Sequence, residues 1–293
     1  MKIQEVLDKT ATFFRSKQMD SPRLDAELLI AGSLGIERIQ LYLKFDQPLK
    51  EDEIERCREY VRRRTAGEPV AYILNSKYFY GNEFFVDSRV LIPRPETELL
   101  VEMAIEELKS LASKSSHENL YVLDLGAGSG CIGLSILKRE AAVQATLVDA
   151  YSGPLEVIKL NADRLEVTDR ATLIQSKAQD LLKEQAELKS KFQIVLANPP
   201  YIGRDDANVE PEVKKYEPET ALFAGDQGLA EIKSWLPTAV DCTHDGGLLI
   251  FEMGWKQGPE VAEIFKAAGL SDVKIHKDLA QLDRFVSGRK KGL

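Results

Sequence analysis

The sequence predicts an α/β fold, a mostly parallel, doubly wound sheet preceded by a small all-helical domain and a β-hairpin connector. Three observations predict it. From Leu120 onward, short apolar runs alternate with segments of helical spacing, as in strand–helix–strand units of a parallel sheet. One such run, Phe192 to Ala197, is rich in β-branched and aromatic residues and stops at Asn198-Pro199-Pro200-Tyr201. A strand of that composition is buried on both faces, and the prolines forbid further ladder hydrogen bonds, so the chain leaves the sheet at Asn198. Residues 1 to 75, by contrast, carry helical apolar spacing throughout. The expected divisions are a helical domain over 1–75, a β-hairpin connector over 76–90 and the doubly wound α/β domain over 91–293.

In the first of these, Ile3, Val6, Leu7, Phe13 and Phe14 mark one helix, and Ser21-Pro22 opens a second carrying Leu24, Leu28 and Leu29. A third is expected after Pro48, with Cys57, Tyr60 and Val61 inward. Its arginines 56, 58, 62, 63 and 64 are interleaved with Glu53, Glu55 and Glu59, so they read either as a solvated face or as a docking face. Between Tyr78 and Val90 the residues turn aromatic and β-branched, and Gly81-Asn82 is the expected hairpin turn. Pro93 and Pro95 then preset the chain before a helix carrying Leu99, Leu100, Met103, Ala104 and Leu108, and Lys109 to Glu118 is an expected polar loop.

Strands are expected at Leu120 to Leu125, Val143 to Asp149, Ala171 to Gln175, Phe192 to Ala197, Leu248 to Glu252, 272–276 and 283–287. Helices are expected at Cys131 to Lys138, Leu155 to Arg164, Ala178 to Lys189, 228–240 and 257–268.

Composition narrows the function. Hydrophobic residues make up 44% and charged residues 29%, as in an ordinary soluble globular protein, and no apolar run reaches membrane-spanning length. Met1 to Lys17 lacks a signal-peptide core, so a cytoplasmic protein is expected. Cys57, Cys131 and Cys242 are odd in number and lack metal-like spacing, and His117, His244 and His276 form no pair, so no metal site is expected. The net charge of −8 falls entirely in residues 76–293, the first 75 being neutral. This acidic part is a poor match for nucleic acid.

Two stretches carry chemistry. Asp124-Leu125-Gly126-Ala127-Gly128-Ser129-Gly130 joins a strand to a helix, and its glycines let the backbone turn tightly against a ligand. It lacks the Gly-Lys-Ser/Thr ending of a phosphate loop and is one residue shorter than the dinucleotide pattern. Asp149 ends the next strand, where a carboxylate accepts both ribose hydroxyls of an adenosine, or else caps the helix that follows. A carboxylate there suits NAD and S-adenosylmethionine equally; Asp124 with the glycine turn, Asp149, and Asn198 after the fourth strand together read as an S-adenosylmethionine pocket.

The second stretch is Asn198-Pro199-Pro200-Tyr201. The Asn198 side-chain oxygen and the Pro199 carbonyl, on a backbone stiffened by proline, match the two hydrogens of a planar NH2 group, and Tyr201 could cover that group with its ring. A planar nitrogen is a weak nucleophile, so holding it against an electrophile helps by orientation and electrostatics. The plainer reading is a turn that merely ends a strand.

The motifs extend further: Gly67-Glu-Pro-Val-Ala-Tyr-Ile73, Leu91-Ile-Pro-Arg-Pro-Glu-Thr-Glu98, Glu217-Pro218, Gly225-Asp-Gln-Gly-Leu229 and Lys277-Asp-Leu-Ala-Gln-Leu-Asp-Arg284. With them the chain resembles the class I methyltransferases, and within these the HemK/PrmC family of release factor glutamine N5-methyltransferases. It departs from the family pattern at Asn75, where glycine is usual, and at Gln193, where aspartate is frequent.

The resemblance implies a Rossmann-like class I methyltransferase sheet and methyl transfer from S-adenosylmethionine to the side-chain amide N5 of the glutamine in the Gly-Gly-Gln motif of class I peptide-chain release factors. Metal, membrane and direct nucleic acid are not required, and a monomer is expected. Implied cofactor contacts are Gly126, Ala127, Gly128, Ser129, Gly130, Asp149, Leu181 and Asn198. Implied substrate contacts are Asn198, Pro199, Pro200 and Tyr201, with Asn198, Pro199 and Tyr201 catalytic. Arg94, Glu96 and Thr97 are expected beside the pocket or as helix caps. The alternative is an exocyclic-amine methyltransferase acting on adenine N6 or guanine N2 of nucleic acid, planar amines that suit the same tetrapeptide.

Overall fold

The computed structural model describes residues 1–114 and 119–292, with the backbone alone at Lys114. It divides into two compact units, Met1–Ser76 with Glu210–Tyr216, and Lys77–Val209 with Glu217–Leu293.

The first unit is helical: Ile3–Ser16, Pro22–Leu34, Arg38–Leu43, Glu51–Thr65 and Val70–Leu74, joined by the later segment Pro211–Tyr216. Its core is Ile3, Leu7, Phe14, Leu29, Ile30 and Leu41, all fully buried. The short helix Arg38–Leu43 precedes Pro48, so the helix expected third is the fourth. Six residues give too little periodicity to stand out in a sequence. Every arginine of Glu51–Thr65 has an acidic partner: Arg56 with Asp52, Arg58 with Glu55, Arg62 with Glu59, Arg63 with Glu68, and Arg64 with Asp25 and Glu212 at 2.8 Å each. The basic run is therefore internally neutralised. Asn75 ends Val70–Leu74 at φ +49°, a left-handed conformation that asparagine tolerates better than other non-glycine residues, which accounts for the departure there.

The second unit opens with a hairpin, Lys77–Phe79 against Asn82–Phe84. Its two-residue loop is Tyr80-Gly81, both at positive φ, one position earlier than expected. Tyr80 is held there by its N–H, which donates to Glu98, and by the Asn82 side chain, which donates to its carbonyl. The helix Glu98–Lys114 runs on where a polar loop was expected. The remainder of that loop, with His117, lies outside the described residues.

The main sheet has seven strands: β1 (Leu120–Leu125), β2 (Val143–Asp149), β3 (Ala171–Gln175), β4 (Phe192–Ala197), β5 (Thr243–Glu252), β6 (Ser271–Lys277) and β7 (Asp283–Arg289), in the order β6-β7-β5-β4-β1-β2-β3. All pairings are parallel except those of β7 with β5 and β6. Successive residues serve opposite faces. Val122, Leu147 and Ile194 pack with the helices Glu98–Lys114, Cys131–Arg139 and Ser152–Arg164, while Leu123, Val148 and Val195 pack with Ala230–Cys242 and Gly258–Ala267. The sheet is doubly wound, as expected. The chain runs outward from β1 through β2 to β3, then returns to place β4 on the other side of β1. The crevice between β1 and β4 is the topological switch point, the usual ligand site of such a sheet.

Two segments differ from expectation. Ala178 to Lys189 is not one helix but a single α-turn, Leu181–Glu184, flanked by 3-10 turns. Only Ala178, Leu181 and Leu188 are buried in it, too sparse a stripe to sustain a helix. The helix expected at 228 begins at Ala230, because Gln227 and Gly228 have φ of +52° and +94°.

Candidate active site

At the switch point lies a cleft of about 1030 Å³, open mouth included, lined by Gly126, Ala127, Gly128 and Ser129 after β1, Asp149 at the end of β2, and Asn198 and Pro200 after β4. Three separate sequence signals thus meet in one cavity.

The glycine turn is built from backbone. Gly126, Gly128 and Gly130 all have positive φ, between +56° and +77°. A Cβ on Gly126 would come within 2.5 Å of the Trp235 indole, which also lines the cleft. Asp149 braces the turn: one carboxylate oxygen accepts the Gly128 N–H at 3.0 Å, and the other accepts the Tyr151 N–H at 3.1 Å. Burial pushes this carboxyl above its ordinary range. Each oxygen still has a lone pair for a hydroxyl in the cleft. Behind the turn, Asp124 is fully buried, accepts the Gly133 N–H through Oδ2, and leaves Oδ1 without a partner. Desolvation pushes it up to about 7, against the Gly133 hydrogen bond. The braced glycine turn and the Asp149 carboxylate, both on the cleft, fit a nucleoside-bearing cofactor.

The tetrapeptide after β4 is built from side chains. Asn198 donates through Nδ2 to Thr97 Oγ1 at 3.4 Å, a long contact. Thr97, buried, donates to Glu252 Oε2 at 2.7 Å, and the Tyr201 hydroxyl donates to Glu252 Oε1 at 3.0 Å. Glu252, the last residue of β5, is 1% exposed. Burial pushes it up to about 7, opposed by the Thr97 and Tyr201 hydrogen bonds and the Arg284 charge. Desolvation and the nearby Glu252 charge hold the Tyr201 phenol well above its ordinary value.

The backbone of the tetrapeptide is pinned too. Gln257 donates to the carbonyls of Tyr201 and Gln227, at 3.1 Å and 3.2 Å, while its own oxygen accepts the Gly254 N–H. A Cβ on Gly228 would lie 2.1 Å from the Tyr201 carbonyl, which explains a glycine there. Glu217 accepts the Ile92 N–H and pairs with Arg94 at 2.6 Å, tying the proline-rich Leu91 to Glu98 block to the far end of the loop that follows Tyr201.

Of the expected site residues, Gly126, Ala127, Gly128, Ser129, Asp149, Asn198 and Pro200 line the cleft, with Arg94 and Thr97 beside them. Gly130, Pro199 and Tyr201 adjoin it in the chain without lining it, and Glu96 does not line it either. Leu181 is fully buried in the core, and Ser176 and Ala178 face the cleft instead. Sequence reasoning missed Asn161, which holds the Phe85 backbone from both sides and donates to the Ser129 carbonyl. It also missed Gln257 and Glu252. Glu252 had a signal, since an acid ending a buried strand repeats the position of Asp149. Gln193 accepts the Tyr121 N–H across the strands, so the departure there has a structural role.

Comparison with known proteins adds to this geometry. Residues 5–74 match a family model described as the PrmC N-terminal domain, and residues 94–225 match one described as conserved hypothetical protein 95. A protein of Chlorobaculum tepidum named release factor glutamine methyltransferase is 38% identical over 97% of this chain and 96% of its own length. A protein of the same name from Rhodopirellula baltica is 38% identical over 98% and 96%. Among solved structures, the hMettl16 catalytic domain in complex with MAT2A 3'UTR hairpin 6 superposes with a TM-score of 0.53 at 13% identity, covering 73% of this chain and 77% of that one, a likeness of fold alone.

Proposed function

This chain belongs to the release factor glutamine methyltransferases, a family of enzymes with the class I methyltransferase sheet, and from that premise we propose how its residues divide the work. The substrate is the side-chain amide N5 of the glutamine in the Gly-Gly-Gln motif of class I peptide-chain release factors, and the methyl donor is S-adenosylmethionine. The observation that carries this reading is the meeting of the glycine turn, Asp149, Asn198 and Pro200 at one cleft.

Bound there, the cofactor supplies an electrophilic methyl group on a positively charged sulfur. The protein holds and orients. Asp149 accepts the ribose hydroxyls, and the turn from Gly126 to Gly130 lets the backbone approach closely. Asn198 Oδ1 and the Pro199 carbonyl accept the two hydrogens of the glutamine amide, aiming its nitrogen at the methyl group. Tyr201 packs on the glutamine side chain. No side chain need act as a base, because the amide can shed its extra proton after transfer. A dry cleft helps, since charge disperses as the methyl moves.

The helical unit docks the release factor in this reading. Supporting it, the helix Arg38–Leu43 leaves Ile39 and Leu43 exposed, Leu43 at 80%. The enzyme works in the cytoplasm as a monomer, without metal or direct nucleic acid. No helix among the described residues is long and apolar enough to cross a membrane.

The test is methylation with labelled S-adenosylmethionine of a release factor, of its Gly-Gly-Gln to Gly-Gly-Ala variant, and of ribosomal RNA. Label on the wild-type factor alone is expected. Label on the RNA, with neither factor marked, would replace the protein substrate with a nucleobase amine.

A further inference from the structure

We infer that Glu252 is a positioning residue: through the Thr97 hydroxyl it sets which end of the Asn198 side-chain amide faces the substrate. The inference rests on the reading of Asn198 as the acceptor of an amide hydrogen and extends it to a residue that does not line the cleft.

Hydrogen-bond polarity sets the orientation. The oxygen and nitrogen ends of an asparagine amide have nearly the same shape, so packing alone chooses weakly between them. An ionised carboxylate only accepts. With Glu252 ionised, the single Thr97 hydroxyl hydrogen points at Glu252 Oε2, 2.7 Å away. Thr97 then offers Asn198 nothing but lone pairs. Only Asn198 Nδ2 can meet them, at 3.4 Å, and Oδ1 is turned to the opposite side, where an acceptor is required. The second oxygen of the same carboxylate holds the Tyr201 hydroxyl at 3.0 Å. Both Asn198 and Tyr201 therefore take their orientation from one buried acid.

The charges around Glu252 make this polarity switchable. Arg284, itself paired with Asp278 at 3.2 Å, favours the ionised form, and Glu96 opposes it. Tyr201 and Cys131 are both held neutral by burial, with the Cys131 thiol pushed up to about 12. Burial brings Glu252 itself up to about 7. Once protonated, Glu252 can donate to Thr97, and the Thr97 hydrogen is freed toward Asn198, favouring the reversed amide.

Two measurements test this. In the first, the Asn198 side-chain NH2 resonances of the full-length protein are followed by NMR across the neutral pH range, without substrate. They should titrate with a midpoint near 7 in the wild type and not in Glu252→Gln. The second measures kcat and KM on a release factor at saturating cofactor, with cofactor affinity by calorimetry. Glu252→Gln and Thr97→Val should lower kcat at least about tenfold while cofactor affinity stays within about threefold. Thr97→Ser, which keeps the hydroxyl, should recover most of what Thr97→Val loses. Wild-type kcat should rise with pH through the same midpoint, and the rise should vanish in Glu252→Gln.

Asn198 side-chain resonances that are the same in Glu252→Gln as in the wild type at every pH overturn the inference, as does a Thr97→Val enzyme with wild-type kcat. A titrating resonance in a protein that labels no release factor would leave the network standing and defeat the substrate reading instead.

Discussion

The two halves of the site are held by different means. The cofactor half is a backbone device: a glycine turn with positive φ angles, braced by Asp149, which accepts the Gly128 N–H and also that of Tyr151 just beyond its own strand. The substrate half is a side-chain device, in which Asn198, Thr97, Tyr201 and Glu252 come from segments up to 155 positions apart. A backbone device tolerates change in its side chains but not in its glycines. A side-chain device fails by losing one polar atom.

The sharpest test of that contrast is Asn198→Ala. It should lower turnover by about a thousandfold or more while cofactor affinity stays within about tenfold, the pattern of an interaction made in the transition state. Single-turnover kinetics beside calorimetry would show it, and equal loss of both would erase the boundary between the halves.

Next in size is Gly228→Ala. Its Cβ would meet the Tyr201 carbonyl at 2.1 Å, on a residue with φ of +94°, so a loss of about 2 kcal/mol or more in unfolding free energy is expected. Chemical denaturation measures it. A stable, fully active variant would mean that the tetrapeptide does not depend on its backbone support.

Asp149→Asn should show the mirror image of Asn198→Ala. Cofactor affinity should fall about ten- to a hundredfold, with turnover at saturation changed less. The two variants together form the comparison in numbers.

The smallest effect concerns pH. Asp124 is raised from its ordinary 3.8 to about 7 in the fold, so the unfolded chain gives up this proton first as pH rises. Stability from this group is therefore full below about pH 4, falls between pH 4 and 7, and is flat above. Asp124→Asn should gain on the wild type across that window, by about 1–2 kcal/mol after local relaxation, in melting curves taken at successive pH values.

What could be read in the sequence follows the same division. Gly126 to Gly130, Asp149 and Asn198 to Tyr201 are local spacings, each with its meaning in a few adjacent residues, and the strands β1 to β4 end where their apolar runs end. Asn161 and Gln257 are single polar residues whose key partners lie elsewhere in the chain, so no local pattern marks them, whereas Glu252 was marked only by its place at the end of a buried strand. Leu181 carries the opposite lesson: proximity in sequence to a cleft-lining segment did not bring it to the cleft, because an apolar side chain in a broken helix goes to the core. The short helix Arg38–Leu43 and the grouping of Glu210–Tyr216 with the first unit also left no periodic trace.

That last grouping bears on how the protein is made. Arg64 pairs with Glu212, 148 positions later, and Tyr216 donates to the Ala66 carbonyl. Residues 1–76 are made well before Glu210–Tyr216, so their unit lacks its closing helix until the main sheet is already half synthesised. At typical elongation rates that interval is on the order of ten seconds. During it the helical bundle must survive incomplete, and its final consolidation waits on the stretch of chain that follows the tetrapeptide.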